Sequence, residues 1–515
     1  MFKLKLKNII ILVMLLLVGL TVVSASEVND DTTNVETPTE ETTEITEVSQ
    51  QSGTDNNYNS NNNIGNEELL NDPPVQKTIT PSSYSTDIQN IATYDIVTFD
   101  GVFTTFETNG LLTIPHDVNI TSTTGSKFED TRFVIASNNV VIENLTIEND
   151  DGTSGSVIST YGYNNIQLAN NVITFTKTTA GETIGIKLNS TNTLNITNNT
   201  ITINGYPQDR YDHTTWAYTI YNTALVVDNA YDVNITENRI TATASTPTQS
   251  SGTNEGMNIR NAYDVKIEEN NVTVSGGDYN YAITIENVYN SNTSYNKLIS
   301  NSENYAAGLQ LICVSDSKAT HNVITATAHN TTLNPTSGEA IAYGIYLTNN
   351  YAPAVSNYNI VEYNDITVQS TIGYGIEGYL IDDNEIKYNN INVIGTKVMG
   401  IGLYNSSLNE LEYNIISVMA SYSDDLSYVY EQIPPETTGI KIVGGGNSSV
   451  NIVDYNTITV LDLLNPNTAY AVIVEADSNY VQENHLISNN ALFQLLTGDN
   501  SVSNLGTDNE ISRND

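Results

Sequence analysis

One eight-residue pattern governs this chain from about residue 130 onward: apolar, any, any, Asn, any, apolar, any, apolar. It reads ITNNTITI (196–203), ITENRITA (235–242), IEENNVTV (267–274), ATHNVITA (319–326), VEYNDITV (361–368), IKYNNINV (386–393), LEYNIISV (411–418) and VDYNTITV (453–460). The shared asparagines are Asn171, Asn199, Asn238, Asn270, Asn296, Asn322, Asn364, Asn389, Asn414, Asn456 and Asn484. Most intervals between them are 25 to 28 residues, and the longer ones are insertions on that period. A unit this short can hold only two or three brief strands. It cannot bury an apolar face alone and must stack on its neighbours.

The strands alternate apolar and any, with many β-branched residues, and show no 3.6-residue period, so helices are excluded. A second apolar pair precedes each unit, often after glycine: GIKL (185–188), GMNI (256–259), GLQL (308–311), GIYL (344–347), GIGL (400–403) and GIKI (439–442). The consistent fold is all-β: a right-handed, single-stranded parallel β-helix of about twelve coils, a solenoid stacked at the ~4.8 Å strand spacing. A β-propeller needs a period of about 40 residues and four strands per unit, which fits worse. Asparagine suits a corner because it tolerates left-handed backbone, and its amide both donates and accepts, so stacked copies can form a ladder. The recurrent glycines would serve a second corner.

The rest of the chain divides around this body. Residues 1–26 read as a secretory signal peptide: Lys3, Lys5 and Lys7, an apolar run from Ile9, then Ser24, Ala25 and Ser26. The alternative is an uncleaved membrane anchor. Residues 27–85 are rich in Thr, Glu and Asn, with little to bury, and read as a disordered stalk. Residues 86–515 form the β-helix with end caps at 86–130 and 490–515. No second apolar stretch follows the leader, so no membrane span remains after its removal.

The sequence carries 18 Lys+Arg against 59 Asp+Glu, a net charge of −41. Bases are the scarce residues, so no patch is available for nucleic acid or an anionic membrane surface. Neutral glycans, cations or basic surfaces are the compatible partners. The single cysteine, Cys313, rules out an intrachain disulfide and reads as a small core residue.

The repeat resembles the right-handed β-helix repeat of pectate-lyase-like proteins. Its Asn-rich, Lys-poor form, following the leader KNIIILVMLLLVGL (7–20) and a Thr/Glu stalk, is similar to adhesin-like surface proteins of methanogenic archaea. That resemblance implies an extracellular or cell-surface protein that binds glycans or partner-cell components.

Insertions follow Asn199, Asn322 and Asn414, all at the same point of the unit, and should form a ridge. The first gathers Tyr206, Asp209, Arg210, Tyr211, Asp212, His213, Trp216 and Tyr218. Aromatic faces beside carboxylates and an Arg suit sugar recognition, though they equally suit a loop packed on itself. The third holds Asp424 and Asp425 with Tyr422, Tyr428 and Tyr430. Its carboxylates could ligate calcium or stay solvated. The expected ligand-binding set is Tyr206, Tyr211, Trp216, Tyr218, Tyr428 and Tyr430.

No catalytic residues are expected. A polysaccharide lyase or glycoside hydrolase needs an acid/base pair and, for uronates, a cation. Asp382 and Asp383 would point to opposite faces of a regular strand. Asp209, Arg210, Asp212 and His213 are the set to test if the chain is an enzyme.

Overall fold

A computed structural model describes residues 73–515, apart from 151–154, 180, 207–210, 213–216, 219–220, 245–252, 330–339, 350–355, 422–435, 446–448, 464–468 and 491–493. The described residues form a right-handed parallel β-helix. Nearly every strand belongs to one parallel hydrogen-bonded system. Each coil contributes three strands, and each strand pairs with its equivalent in the coils before and after. In one coil these are Thr183–Asn189, Asn192–Thr197 and Thr200–Gly205. The first pairs with 222–228, the second with 231–236, and the third with Arg239–Ala244. Coils without the asparagine pattern extend the stack earlier: Lys127–Glu129 pairs with Thr146–Asn149, which pairs with Val172–Thr176.

The apolar alternation fills a narrow core. Ile201, Ile240, Val272, Leu298, Ile324, Ile366, Ile391, Ile416 and Ile458 are all essentially inaccessible. At the leading end Phe99, Phe103, Phe128 and Phe133 pack ring on ring at 4.9–5.2 Å. Four of the chain's eight phenylalanines are thus spent closing one end of the stack. The first strand, Gln76–Ile79, lies inside the segment read as stalk, so ordered structure begins before residue 86. At the far end the chain adds another partial coil rather than a cover alone. Val502–Asn504 and Glu510–Ser512 extend two of the columns.

Two corner expectations need correction. The ladder asparagines do not adopt the left-handed conformation; the residue before each one does. Asn170, Asn198, Glu237, Glu269, Tyr295, His321, Tyr363, Tyr388, Tyr413, Tyr455 and Glu483 all have φ between 54° and 59°. The asparagine itself turns inward and is buried. Asn389, for example, donates from Nδ2 to Asn414 Oδ1 at 3.0 Å and to Val361 O at 2.8 Å. Its backbone N–H donates to the same Asn414 Oδ1 at 3.0 Å. The bonding runs from Asn171 to Asn484 and on to Asn514, one rung past the last repeat read from sequence.

The recurrent glycines sit within strands, not at corners. A Cβ on Gly308 would strike Ile324 Cγ2 in the core and lie 2.8 Å from Gly344 O in the next coil. Gly344, Gly375, Gly400 and Gly439 meet equivalent neighbours, and Ala224, Ala282 and Ala471 fill the same column elsewhere. The demand is for small size where two coils approach closely. It has a consequence for the outer surface. In Ala342–Tyr343–Gly344–Ile345–Tyr346, both Gly344 and Ile345 are buried while both tyrosines are partly exposed. The strict alternation slips by one residue at the glycine, so residues three apart share the outward face.

Candidate functional site

The insertions interrupt the path from the third strand of one coil to the glycine-containing strand of the next. Thr200–Gly205 precedes the first, Val323–Ala328 the second and Ile415–Ala420 the third. Each is followed by a strand of the glycine column. The outward face of that column therefore adjoins all three. The inserted residues themselves fall largely outside the described set: Asp209, Arg210, His213, Trp216, Asp424, Asp425, Tyr428 and Tyr430 are not described. Tyr211 and Asp212 pair antiparallel with Tyr218 and Ala217 in a two-stranded ribbon. Tyr206, at the mouth of the first insertion, is half-buried.

The described part of the site is the glycine-column face itself. In register, Tyr343 pairs with Tyr374 and Tyr374 with Met399. Beside them, Tyr346 pairs with Glu377 and Glu377 with Gly402. Five tyrosines crowd this area. Tyr305 and Tyr343 lie 5.3 Å apart at 42°, and Tyr343 and Tyr346 5.1 Å apart at 43°. Tyr343 stacks on Tyr374 at 5.0 Å. Tyr404 leans back over Gly402, its hydroxyl 3.8 Å from Met399 Sδ. A Cβ on Gly402 would lie 3.1 Å from the Tyr404 ring and 2.6 Å from Met399 Sδ, so glycine lets that ring pack closely against the strand.

Glu377 thus stands in register between Tyr346 and Gly402, over which the Tyr404 ring folds, with Tyr343 and Tyr374 at the adjoining outward positions. Burial pushes its carboxyl up to about 7, and a hydrogen bond with Tyr343 opposes the shift only in part. Burial also drives the phenols of Tyr305, Tyr343 and Tyr404 far above their ordinary value, so all three are neutral donors. Among the described residues Glu377 makes no ion pair. In the following rows Lys397 and Lys441 are both held by Glu436, and Lys441 also by Glu475 at 3.4 Å. At the other end of the same face, buried Glu255 accepts from Asn258 Nδ2 and Thr223 Oγ1, and burial holds its carboxyl above the ordinary range.

A second aromatic array runs along the corner beside the asparagine ladder. Tyr295, His321, Tyr363, Tyr388, Tyr413 and Tyr455 stack in sequence at 4.8–5.0 Å, the last four within 5° of parallel. Their tyrosines are 42–58% exposed, yet the rings cover each other's faces and offer solvent only edges and hydroxyls. A sugar stacks on a ring face, so this array is poorly suited to it. Beside Glu377 the rings of Tyr305, Tyr343 and Tyr346 are instead tilted by 42–43° to one another.

The corner stack was visible in the sequence as the recurring Tyr-Asn of EYN, KYN and DYN. The Glu377 cluster was not. Its members come from four coils and unrelated local contexts.

The other singled-out residues have ordinary roles. Asp382 Oδ1 accepts from Ser407 N at 2.7 Å, and Asp383 has φ 55°. The pair therefore turns a corner rather than lying in a regular strand. Cys313 is buried at a left-handed corner. Among the described residues no group of three or more His, Cys, Asp or Glu is placed to hold a metal, and no helix is long and apolar enough to cross a membrane.

No protein-family model matches the chain, and no curated protein matches it. Solved structures with a similar backbone include tailspike protein 3 of bacteriophage CBA120, at 13% identity and a TM-score of 0.43 over 78% of this chain. The chain spans 58% of the tailspike's length. DFA-IIIase from Arthrobacter chlorophenolicus A6 is similar at 13% identity and a TM-score of 0.37, covering 81% of this chain and 92% of the enzyme. A mutant of the periplasmic alginate epimerase AlgG is similar at 12% identity and a TM-score of 0.31, covering 72% and 78% of the two chains. At these identities the likeness is one of backbone path.

Proposed function

We propose that this is a secreted or cell-surface, adhesin-like β-helix protein that binds glycans on partner surfaces without chemically altering them. The observation that carries this reading is the cluster of Tyr305, Tyr343, Tyr346, Tyr374 and Tyr404 around Glu377. Tilted, half-buried rings beside a hydrogen-bonding carboxyl supply stacking surface and polar partners together, the combination sugars need. The cluster lies on the face that adjoins the insertions, the segments whose sequence carries Tyr206, Tyr211, Trp216, Tyr218, Tyr428 and Tyr430. The leader and the Thr/Glu segment suit export and display.

An alternative is a polysaccharide lyase or glycoside hydrolase on the same scaffold. Glu377, with a carboxyl near 7, could donate a proton at neutral pH. Glycoside hydrolysis needs a second carboxyl nearby. In the rows on either side, the outward positions of these strands are Tyr343, Tyr346, Met399 and Gly402. Binding is the better-supported role.

Glycan-array binding tests it. The wild type should bind at least one glycan class. A Tyr346→Ala/Tyr404→Ala double variant should lose roughly ten-fold or more in affinity, as expected for removing two anchoring rings. Tyr388→Ala, in the edge-presenting stack, should bind as wild type. Equal binding by the double variant would remove this face from the function. Release of reducing ends or unsaturated sugars from a polysaccharide panel would overturn the non-enzymatic reading.

A further inference from the structure

The Glu377 cluster has a charge problem that its geometry resolves in only one direction. Glu377 sits in register between Tyr346 and Gly402 in consecutive coils of one column, and the Tyr404 ring folds over Gly402. Tyr343 and Tyr374 wall it laterally, stacked at 5.0 Å. Ring faces carry negative quadrupole potential, and so attract cations. The carboxylate adds to that potential. Among the described residues no cation answers it, because Lys397 and Lys441 are committed to Glu436 and Glu475.

We propose that the glycan held at this face carries an ammonium group: an amino sugar, or a sugar bearing a quaternary ammonium, whose nitrogen sits between the Tyr346 and Tyr404 rings against the Glu377 carboxylate. This rests on the glycan-binding reading above and names the class of sugar.

Three further observations support it. The net charge of −41 raises the local concentration of cationic ligands and repels uronates. Burial holds the carboxyl of Glu377 at about 7, so an incoming ammonium favours the ionised form and displaces a proton. Gly402 opens the space into which Tyr404 folds, completing the second wall.

The test compares three probes by calorimetry at pH 7: a trisaccharide of N,N,N-trimethylglucosamine, the N-acetylglucosamine trisaccharide, and tetramethylammonium. The first is charged at every pH, which isolates the protein's own titration. It should bind roughly ten-fold or more tightly than its neutral counterpart, in line with a desolvated cation–π site. Runs in two buffers of different ionisation enthalpy should show proton release on binding. Glu377→Gln should abolish both the preference and the release, while its melting temperature shows it folded. Tyr346→Ala should weaken the charged probe most.

Equal affinity for charged and neutral trisaccharides, or a preference unchanged in Glu377→Gln, overturns the ammonium assignment and leaves glycan binding standing. Binding of tetramethylammonium with neither trisaccharide bound would establish a cation cage and overturn the glycan reading and, with it, the amino-sugar assignment. Binding of none of the probes overturns the assignment outright.

Discussion

Tyr388 stacks on Tyr413 with ring centroids 5.0 Å apart and planes 4° from parallel, and each ring belongs to the residue immediately before a buried asparagine. Asn389 and Asn414, those next residues, are bonded to each other at 3.0 Å. One corner of the coil therefore carries two ladders, an amide ladder inside and a ring ladder outside. The left-handed residue between them, at φ 57° for Tyr388 and 56° for Tyr413, sends one side chain out as its successor turns in.

A bulky residue in left-handed backbone costs roughly 1–2 kcal/mol, and each stacked ring pair returns about 0.5–1.5 kcal/mol. Tyr388 stacks on both sides. Tyr388→Asn relieves the backbone and loses both stacks, so a small net destabilisation of about 0.5 kcal/mol is expected in urea unfolding. A variant more stable than wild type by the full backbone relief of about 1–2 kcal/mol would mean the ring ladder contributes nothing.

The inner ladder should be far less forgiving. Asn389→Ala removes the acceptor for both the backbone N–H and Nδ2 of Asn364 and leaves these donors buried. The expected loss is about 2–4 kcal/mol, since each orphaned donor costs about 1–3 kcal/mol. Asn514→Ala, at the partly exposed last rung, should cost under about 1 kcal/mol. Comparable losses at both positions would contradict the burial argument.

The glycine column sets a size limit. A Cβ on Gly375 meets Ile391 Cγ2 and the carbonyl of Gly400. Alanine occupies equivalent positions at 224, 282 and 471, so coils can adjust to one methyl group. Gly375→Ala should cost about 1–3 kcal/mol, and Gly375→Val should prevent soluble expression. Thermal melts and expression yields check this. A Val variant folded as stably as wild type would show the column is not size-limited.

Glu377 predicts a pH dependence of stability. Its carboxyl moves from 4.5 to about 7 on folding, so the folded state binds the proton more tightly. Stability is therefore unaffected below about 4.5 and falls as pH rises through 7, by about 3 kcal/mol at most. Glu377→Gln should gain stability relative to wild type between pH 5 and 8 and no more above it. Parallel melting curves for the two proteins across that range would show that the carboxyl ionises freely in the fold.

The architecture was legible because it is periodic. Asn-x-apolar-x-apolar at 25 to 28 residues leaves a chain with one way to bury its apolar side chains and satisfy its buried amides: stacking coil on coil. Local chemistry was less legible where two residue types could serve one corner. The asparagine was assigned the left-handed backbone, yet a buried ladder needs its amide pointing inward, so the residue before it takes φ > 0. Glycine suggested a turn, yet its role is to let neighbouring coils approach.

The sequence alone determined the coil, its repeat, its acidic balance and the places where insertions interrupt it, because each is written in contiguous residues. Only the tertiary structure decided which side chains share a surface. Tyr305, Tyr346, Glu377 and Tyr404 lie in successive coils, separated by up to a hundred positions along the chain, and the slip at each glycine changes which residues face outward. Register between coils, set by packing and hydrogen bonding across them, brings those residues together. No local pattern encodes it.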